Sequence, residues 1–189
     1  NWHQFVKGTI VTLFISLTGT VVGFLIGMVV ALSRQVEAET DHRTSKFKKA
    51  GFYILNKLFA IYIAVFRGTP MMVQSMVIYY GLSQVFNLNL SPLIAALFIV
   101  SINTGAYMSE IIRGGIDSID KGQFEAAKAI GMTNFQTMKS IIFPQMFRNI
   151  LPMIGNEFIV NIKDTSVLNV ISVTELFFIS KSVYEYICF

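Results

Sequence analysis

From Gly8 to Ser33, and again from Gly68 to Ser109, the chain contains no Asp, Glu, Lys or Arg. A helix crosses the hydrocarbon of a bilayer in about 20 residues. The first run therefore predicts one span, about 8–33, while the second is too long for one span and too short for three. Its break falls at Asn87-Leu88-Asn89-Leu90-Ser91-Pro92, where turn formers meet a helix-starting proline. This gives spans at about 68–86 and 92–112, the former opened by Thr69 as N-cap and Pro70 as first helical residue. A fourth span is expected at about 150–172, interrupted by Pro152, Gly155 and Glu157. Residues 34–57 read as a charged interfacial connection with helical character from Phe47 onward. The pattern predicts an all-α polytopic membrane protein, with 1–189 forming one transmembrane domain.

Composition agrees: 53% of residues are apolar and 14% charged. The net charge of +4 is not spread as a nucleic-acid surface would require. It gathers beside the apolar runs, with Arg34, Arg43, Lys46, Lys48, Lys49 and Lys57 set against Glu37, Glu39 and Asp41, whereas 83–92 is uncharged. Positive residues favour the cytoplasmic side, so 34–57 is expected inside, 83–92 outside, and the N-terminus outside. Cys188 is the only cysteine, which excludes an intrachain disulfide. The first apolar run is too long for a signal peptide and its basic residues follow rather than precede it. The chain starts with Asn1, so it reads as a piece of a longer polypeptide.

Three small residues, Gly19, Gly23 and Gly27, recur at intervals of four and predict a helix face for close packing against another helix. Ionisable groups inside a span are costly and face a cavity or a partner. Glu157, Asn161 and Asp164 lie at i, i+4 and i+7 on one face of the fourth span, and Gln74 and Asn103 are further polar groups at membrane depth. Such a face could line a transport path for an ammonium or cationic group, or could pair with Lys163, Arg113 or backbone to tie helices together. No catalytic constellation is present: His3 and His42 are far apart, no phosphate-binding glycine loop occurs, and no metal site is expected. An ion-coupled carrier or channel with Glu110, Glu157 and Asp164 as relay, and a membrane scaffold, are the competing classes.

The stretch 121–144 does not fit the spans around it. Gln123 to Ile130 predicts a short helix with Phe124, Ala127 and Ile130 or Gly131 along one side, ended at Gly131 by a left-handed turn. Thr133 and Gln136 have capping-box spacing, and Phe135, Met138, Ile141 and Ile142 repeat at helical intervals until Pro144, expected to stop the run. A helix, a glycine elbow and a helix at the cytoplasmic surface would offer an apolar stripe to lipid or to a groove in a partner.

Glu125-Ala126-Ala127, three residues, Gly131, nine residues, Ile141, one residue and Phe143-Pro144 resemble the EAA loop of the membrane subunits of bacterial ABC importers, with Phe143 where leucine is usual. Arg67-Gly68-Thr69-Pro70, Gly105-Ala106-Tyr107, Glu110 to Ile116, Gly155 to Phe158 and Lys163 to Ser166 are similar to the polar amino acid permease branch. The resemblance covers most of 8–178. It implies a subunit of the bacterial plasma membrane that is not itself an enzyme and binds no cofactor, ATP and Mg being held by two cytoplasmic ATPase subunits. It also implies a second membrane subunit, identical or homologous, and an extracytoplasmic amino acid binding protein, separate or fused. Glu125, Ala126, Ala127, Gly131, Ile141 and Pro144 would then dock the ATPase, and the fourth span would line the path. The family has a fifth span, which this chain ends too early to complete, so missing residues are expected.

Overall fold

The computed structural model describes residues 2–38 and 46–188, and among these every regular element is helical. Long helices α1 (Trp2–Ala38) and α4 (Pro92–Asp117) form the spine of the bundle, joined by α2 (Lys46–Gly68), α3 (Met71–Phe86) and α7 (Phe143–Asp164). Two short helices, α5 (Lys121–Ala129) and α6 (Asn134–Thr137), separate α4 from α7, and α8 (Leu176–Cys188) closes the chain. Glu39, Asp41, His42 and Arg43 lie outside the described residues.

The α1–α4 contact depends on the absence of side chains. A Cβ at Gly19 would strike the Val100 side chain, one at Gly23 would lie 2.7 Å from Thr104 Cβ, and one at Gly27 would lie 2.6 Å from Met108 Cβ and 2.8 Å from Ser109 N. Lipid supplies no hydrophobic drive for helix association, so this backbone approach and its dispersion contacts hold the pair. One core cluster, with Ile15, Ile99, Val100, Leu168 and Ile171, lies on one side of these glycines. A second, with Ala31, Ile112, Ile116, Ile142, Met146 and Ile150, lies beneath the α5–α6 elbow.

The spans differ from expectation in three respects. Residues 46–68 form a continuous helix whose last 19 residues, Ala50–Gly68, are long and apolar enough to cross a membrane. The helical character expected from Phe47 onward is thus a full helix from Lys46, and within its Ala50–Gly68 portion the charged residues are Lys57 and Arg67 alone. Tyr53, Ile54, Leu58, Ile61 and Val65 of α2 point outward, as a lipid-facing helix requires. Next, Gly68 and Pro70 break the chain, and α3 holds 16 residues, about 24 Å at 1.5 Å per residue, less than the hydrocarbon thickness of about 30 Å. Pro70, extended at ψ 137°, is the N-cap in place of Thr69, whose hydroxyl donates back to the Val65 carbonyl at 2.8 Å. Finally, the fourth span begins earlier: helix runs without a break from Asn134 through Ile171, passing from α-helix to a 3-10 turn at Thr165, and α8 follows at a bend of 57°.

Serine caps α4, Ser91 accepting from the Ile94 N–H at 3.4 Å with Pro92 following. Glu175, buried, caps α8: its carboxylate accepts from the N–H groups of Phe177 and Phe178 at 2.8 and 2.7 Å. A negative charge on the first turn of a helix is favoured by the dipole and by the unpaired amides there.

Candidate functional site

The elbow is built from two interlocking backbone motifs. Asp120 opens α5 by accepting from the Gly122 N–H at 2.6 Å. Gly131 closes it at φ +79°, a left-handed conformation that costs a residue with a Cβ roughly 1–2 kcal/mol. The Met132 N–H reaches back to the Ala127 carbonyl and the Gly131 N–H to that of Lys128, both at 3.0 Å, the paired bonds of a Schellman cap. Thr133 then accepts from the Gln136 N–H at 3.3 Å while the Gln136 side chain accepts from the Thr133 N–H at 2.9 Å, completing a capping box. The elbow is thus fixed by its own hydrogen bonds.

Its two faces separate the residues of the expected apolar stripe. Ala127 is buried, and Phe124, Met138, Ile141 and Ile142 pack into the second core cluster. Ile130 and Phe135 are 77% and 75% exposed on the outside, together with Glu125 and Ala126. The expectation that one continuous stripe faces outward is corrected: most of it is the elbow's own attachment to α4 and α7, because Ile119 and Ile116 present a matching apolar surface. Pro144 does not stop the helix either. A π-helical turn, Met138–Ile142, precedes it, the Phe143 N–H bonding the Met138 carbonyl, and Pro144 sits in the first turn of α7. Pro144 thus follows directly on the π-turn, where the widened backbone accommodates a residue that has no N–H to donate.

Along α7 the polar face turns inward. Asn161 is buried and shared by three helices, accepting from the Thr104 hydroxyl of α4 at 3.0 Å and donating to the Thr20 hydroxyl of α1 at 2.9 Å. Thr20 passes the chain to the Ser16 carbonyl at 2.7 Å. Glu157 is 8% exposed and Asp164 half-buried. Among the described residues neither carboxylate has a hydrogen-bond donor or an ion-pair partner.

Gln74 and Asn103 meet at the α2–α3 break. The Gln74 amide donates to the carbonyls of Phe66 and Thr69 and to the Thr69 hydroxyl at 2.8–2.9 Å, and its oxygen accepts from Asn103 at 2.9 Å. The break therefore has its freed backbone groups satisfied by side chains, which lipid cannot do. One helical step along the same α4 face come Tyr107 and then Glu110. Tyr107 lies under the Arg67 guanidinium, 5.4 Å from ring centroid to carbon. Glu110 receives Arg34 of α1 at 2.9 Å and Arg113 at 2.8 Å, with Arg67 at 4.0 Å. Sequence reasoning did not find the arginine cluster, since its members come from three helices separated by up to 79 residues of chain. The one available signal was Arg67 immediately before Gly68-Thr69-Pro70. Among the described residues no group of three or more His, Cys, Asp or Glu could hold a metal.

The same arrangement of helices occurs in solved transporters. An amino acid ABC transporter crystallised with histidines superimposes with a TM-score of 0.82 at 36% identity, over 96% of this chain and 78% of that one. The methionine ABC transporter MetNI in an inward-facing form gives 0.76 at 17% identity, over 98% and 82%, a likeness of fold. In sequence, the glutamine transport system permease protein GlnP of Escherichia coli (strain K12) is 39% identical over 172 residues, 90% of this chain and 72% of that protein. The L-cystine transport system permease protein TcyB of Bacillus subtilis (strain 168) is 42% identical over 158 residues, 84% and 63%. The family model described as binding-protein-dependent transport system inner membrane component matches residues 50–187, and the chain belongs to that family.

Proposed function

We propose that this chain is the permease subunit of an ATP-driven importer for a polar amino acid delivered by an extracytoplasmic binding protein. The observation that carries the reading is mechanical. A helix continuous from Asn134 through Asp164, about 45 Å long, links the exposed elbow to the face bearing buried Glu157 and half-buried Asp164. Phe135 stands on that helix, and Glu125 and Ile130 join it through the hydrogen-bonded Gly131 elbow, so a push on the elbow reaches the acidic face through elements fixed by their own backbone bonds, as coupling by rigid-body motion requires. The amino acid comes from the relatives, whose names specify glutamine and cystine.

On this reading the elbow sits in a groove of a cytoplasmic ATPase subunit, with Glu125 as its polar contact, Ala126 giving close approach and Ile130 and Phe135 as apolar anchors. Ala127, Ile141 and Pro144 hold the elbow's shape from behind. Two ATPase subunits supply ATP and Mg, and a second membrane subunit completes the path. Glu157, buried, and Asp164, half-buried, have no ion-pair partner among the described residues and receive the ammonium of the substrate. Asn161, Gln74 and Asn103 have their hydrogen bonds filled within the chain, and their part is to fix the helices that border the path. The N-terminus lies outside, in keeping with the basic residues of 34–57.

Co-purification tests the docking. Glu125→Lys should leave the protein inserted at normal yield while the amount of ATPase recovered with it falls. Recovery equal to wild type would remove Glu125 from the contact.

A further inference from the structure

Of the three arginines around Glu110, one is left over. Arg34 takes Oε1 and Arg113 takes Oε2 with two N–H groups, and Arg113 also bonds Asp117 at 2.9 Å. Arg67 reaches Oε2 only at 4.0 Å and donates no hydrogen bond among the described residues. The Tyr107 ring and the Glu110 charge fix its planar fork and leave the N–H donors unspent. The charges do not balance either: three guanidiniums meet two carboxylates, those of Glu110 and Asp117, and three cations against two anions leave one positive charge.

Arg67 lines a cavity of about 650 Å³ between the end of α2, the later turns of α4 and the first half of α7. Ile111, Ile150 and Met153 give it an apolar wall, and Asn149 and Ser118, bonded to each other at 3.1 Å, a polar one. It is open to the surroundings of the chain: Met153 is exposed, and a Cβ at Gly114, which also lines it, would meet nothing within 4 Å. Helix α2, which carries Arg67, turns Ile61 and Val65 outward as a lipid-facing helix does. The level of the cluster follows from the sequence. Arg34 comes directly after the charge-free run from Gly8 to Ser33, and Arg67 and Glu110 flank the one from Gly68 to Ser109, so all three stand where the apolar spans end. This is the basic side of the chain, the cytoplasmic one by the positive-inside bias.

We propose that this cavity binds an anionic phospholipid of the cytoplasmic leaflet, its phosphate on the Arg67 fork and its acyl chains along the apolar wall and the outer face of α2. A phosphodiester of charge −1 matches the one unbalanced cation, and two parallel N–H donors fit two of its oxygens in a way a lysine cannot. Basic pockets between membrane helices at the cytoplasmic surface, where anionic headgroups are abundant, are suited to such lipids. The lipid would tie the end of α2 to α4 and α7 at the level of the Glu110 cluster. The site is separate from the proposed substrate contacts at Glu157 and Asp164, neither of which lines the cavity.

The test counts lipids retained by the detergent-purified membrane–ATPase complex, by native mass spectrometry after exposure to an equimolar mixture of phosphatidylglycerol and phosphatidylcholine. Wild type should retain phosphatidylglycerol in preference. Arg67→Gln should weaken that retention roughly tenfold or more, the loss of a charged hydrogen-bonded contact. Lys57→Gln, which removes a cation from the same helix away from the cavity, should behave as wild type. Arg67→Lys keeps the charge without the fork and should fall between, and it decides the matter if Arg67→Gln does not assemble. No preference in the wild type, undiminished retention in the Arg67 variant that assembles, or an equal loss in Lys57→Gln overturns the proposal. Displacement of phosphatidylglycerol by excess inorganic phosphate also overturns it, assigning the fork to a free phosphate. So does separation of the two membrane subunits in Arg67→Gln with lipid retention intact, which would give the fork to the second subunit. Lipid is counted on the protein itself, so either the proposal or the permease reading can fail while the other stands.

Discussion

The side-chain amide of Asn103 donates to the side-chain oxygen of Gln74 at 2.9 Å, and through that bond α4 holds the point where α2 ends and α3 begins. Gln74 in turn spans the break with bonds to Phe66 and Thr69. Replacing either residue strands the other's polar group in a buried place, which costs about 1–3 kcal/mol. Gln74→Leu and Asn103→Leu should each lower thermal stability in detergent, and the double variant should lose less than the sum of the two. Strict additivity would show that the bond couples nothing.

At Gly27 a side chain has no room, because Met108 Cβ and the Ser109 backbone stand within 2.8 Å of the position a Cβ would take. Gly27→Leu must push α1 from α4 and should abolish the monodisperse folded protein in detergent. Gly51, with no atom within 4 Å, is the control: Gly51→Ala should be neutral or stabilising by up to about 1 kcal/mol. Equal behaviour of the two variants on size-exclusion chromatography would contradict the packing assigned to the glycine face.

Gly131→Ala places a Cβ at φ +79° and should destabilise the elbow by roughly 1–2 kcal/mol, with Gly131→Asn costing less. Hydrogen exchange over 124–137 should quicken in Gly131→Ala while α1 and α4 keep their protection. Unchanged exchange in the elbow would mean that the Schellman bonds do not hold it.

Glu157→Gln and Asp164→Asn remove carboxylates that have no ion-pair or hydrogen-bond partner among the described residues, so assembly should survive both. Uptake, or ATPase stimulated by loaded binding protein, should fall by roughly tenfold or more for loss of a charged contact. Normal transport in both variants would take these carboxylates off the path.

What the sequence disclosed and what it hid follow from the range of the interactions. Charge-free runs, a proline after Ser91, a glycine at 131 and a Thr-x-x-Gln box are local signals, and α1, α4 and the elbow were legible from them. Helix α2 was obscured because four lysines at and after its start, Lys46, Lys48, Lys49 and Lys57, look like a solvated loop when the apolar face beyond them is not weighed. Pro144 misled because a π-turn, a tertiary accommodation, has no sequence signature of its own. The division of the apolar stripe between Ile142 and Phe135 depends on which neighbour each finds, as does the Glu110 cluster, and periodicity carries no information about neighbours from distant helices.

The most direct measurement of the central claim is uptake of labelled polar amino acids into vesicles that contain this chain with its ATPase and binding protein, with and without ATP. The account predicts uptake of a polar amino acid that requires ATP and fails with Glu125→Lys. Uptake that persists without ATP, or that depends on an ion gradient instead, would contradict it and place the buried carboxylates in an ion-coupled carrier.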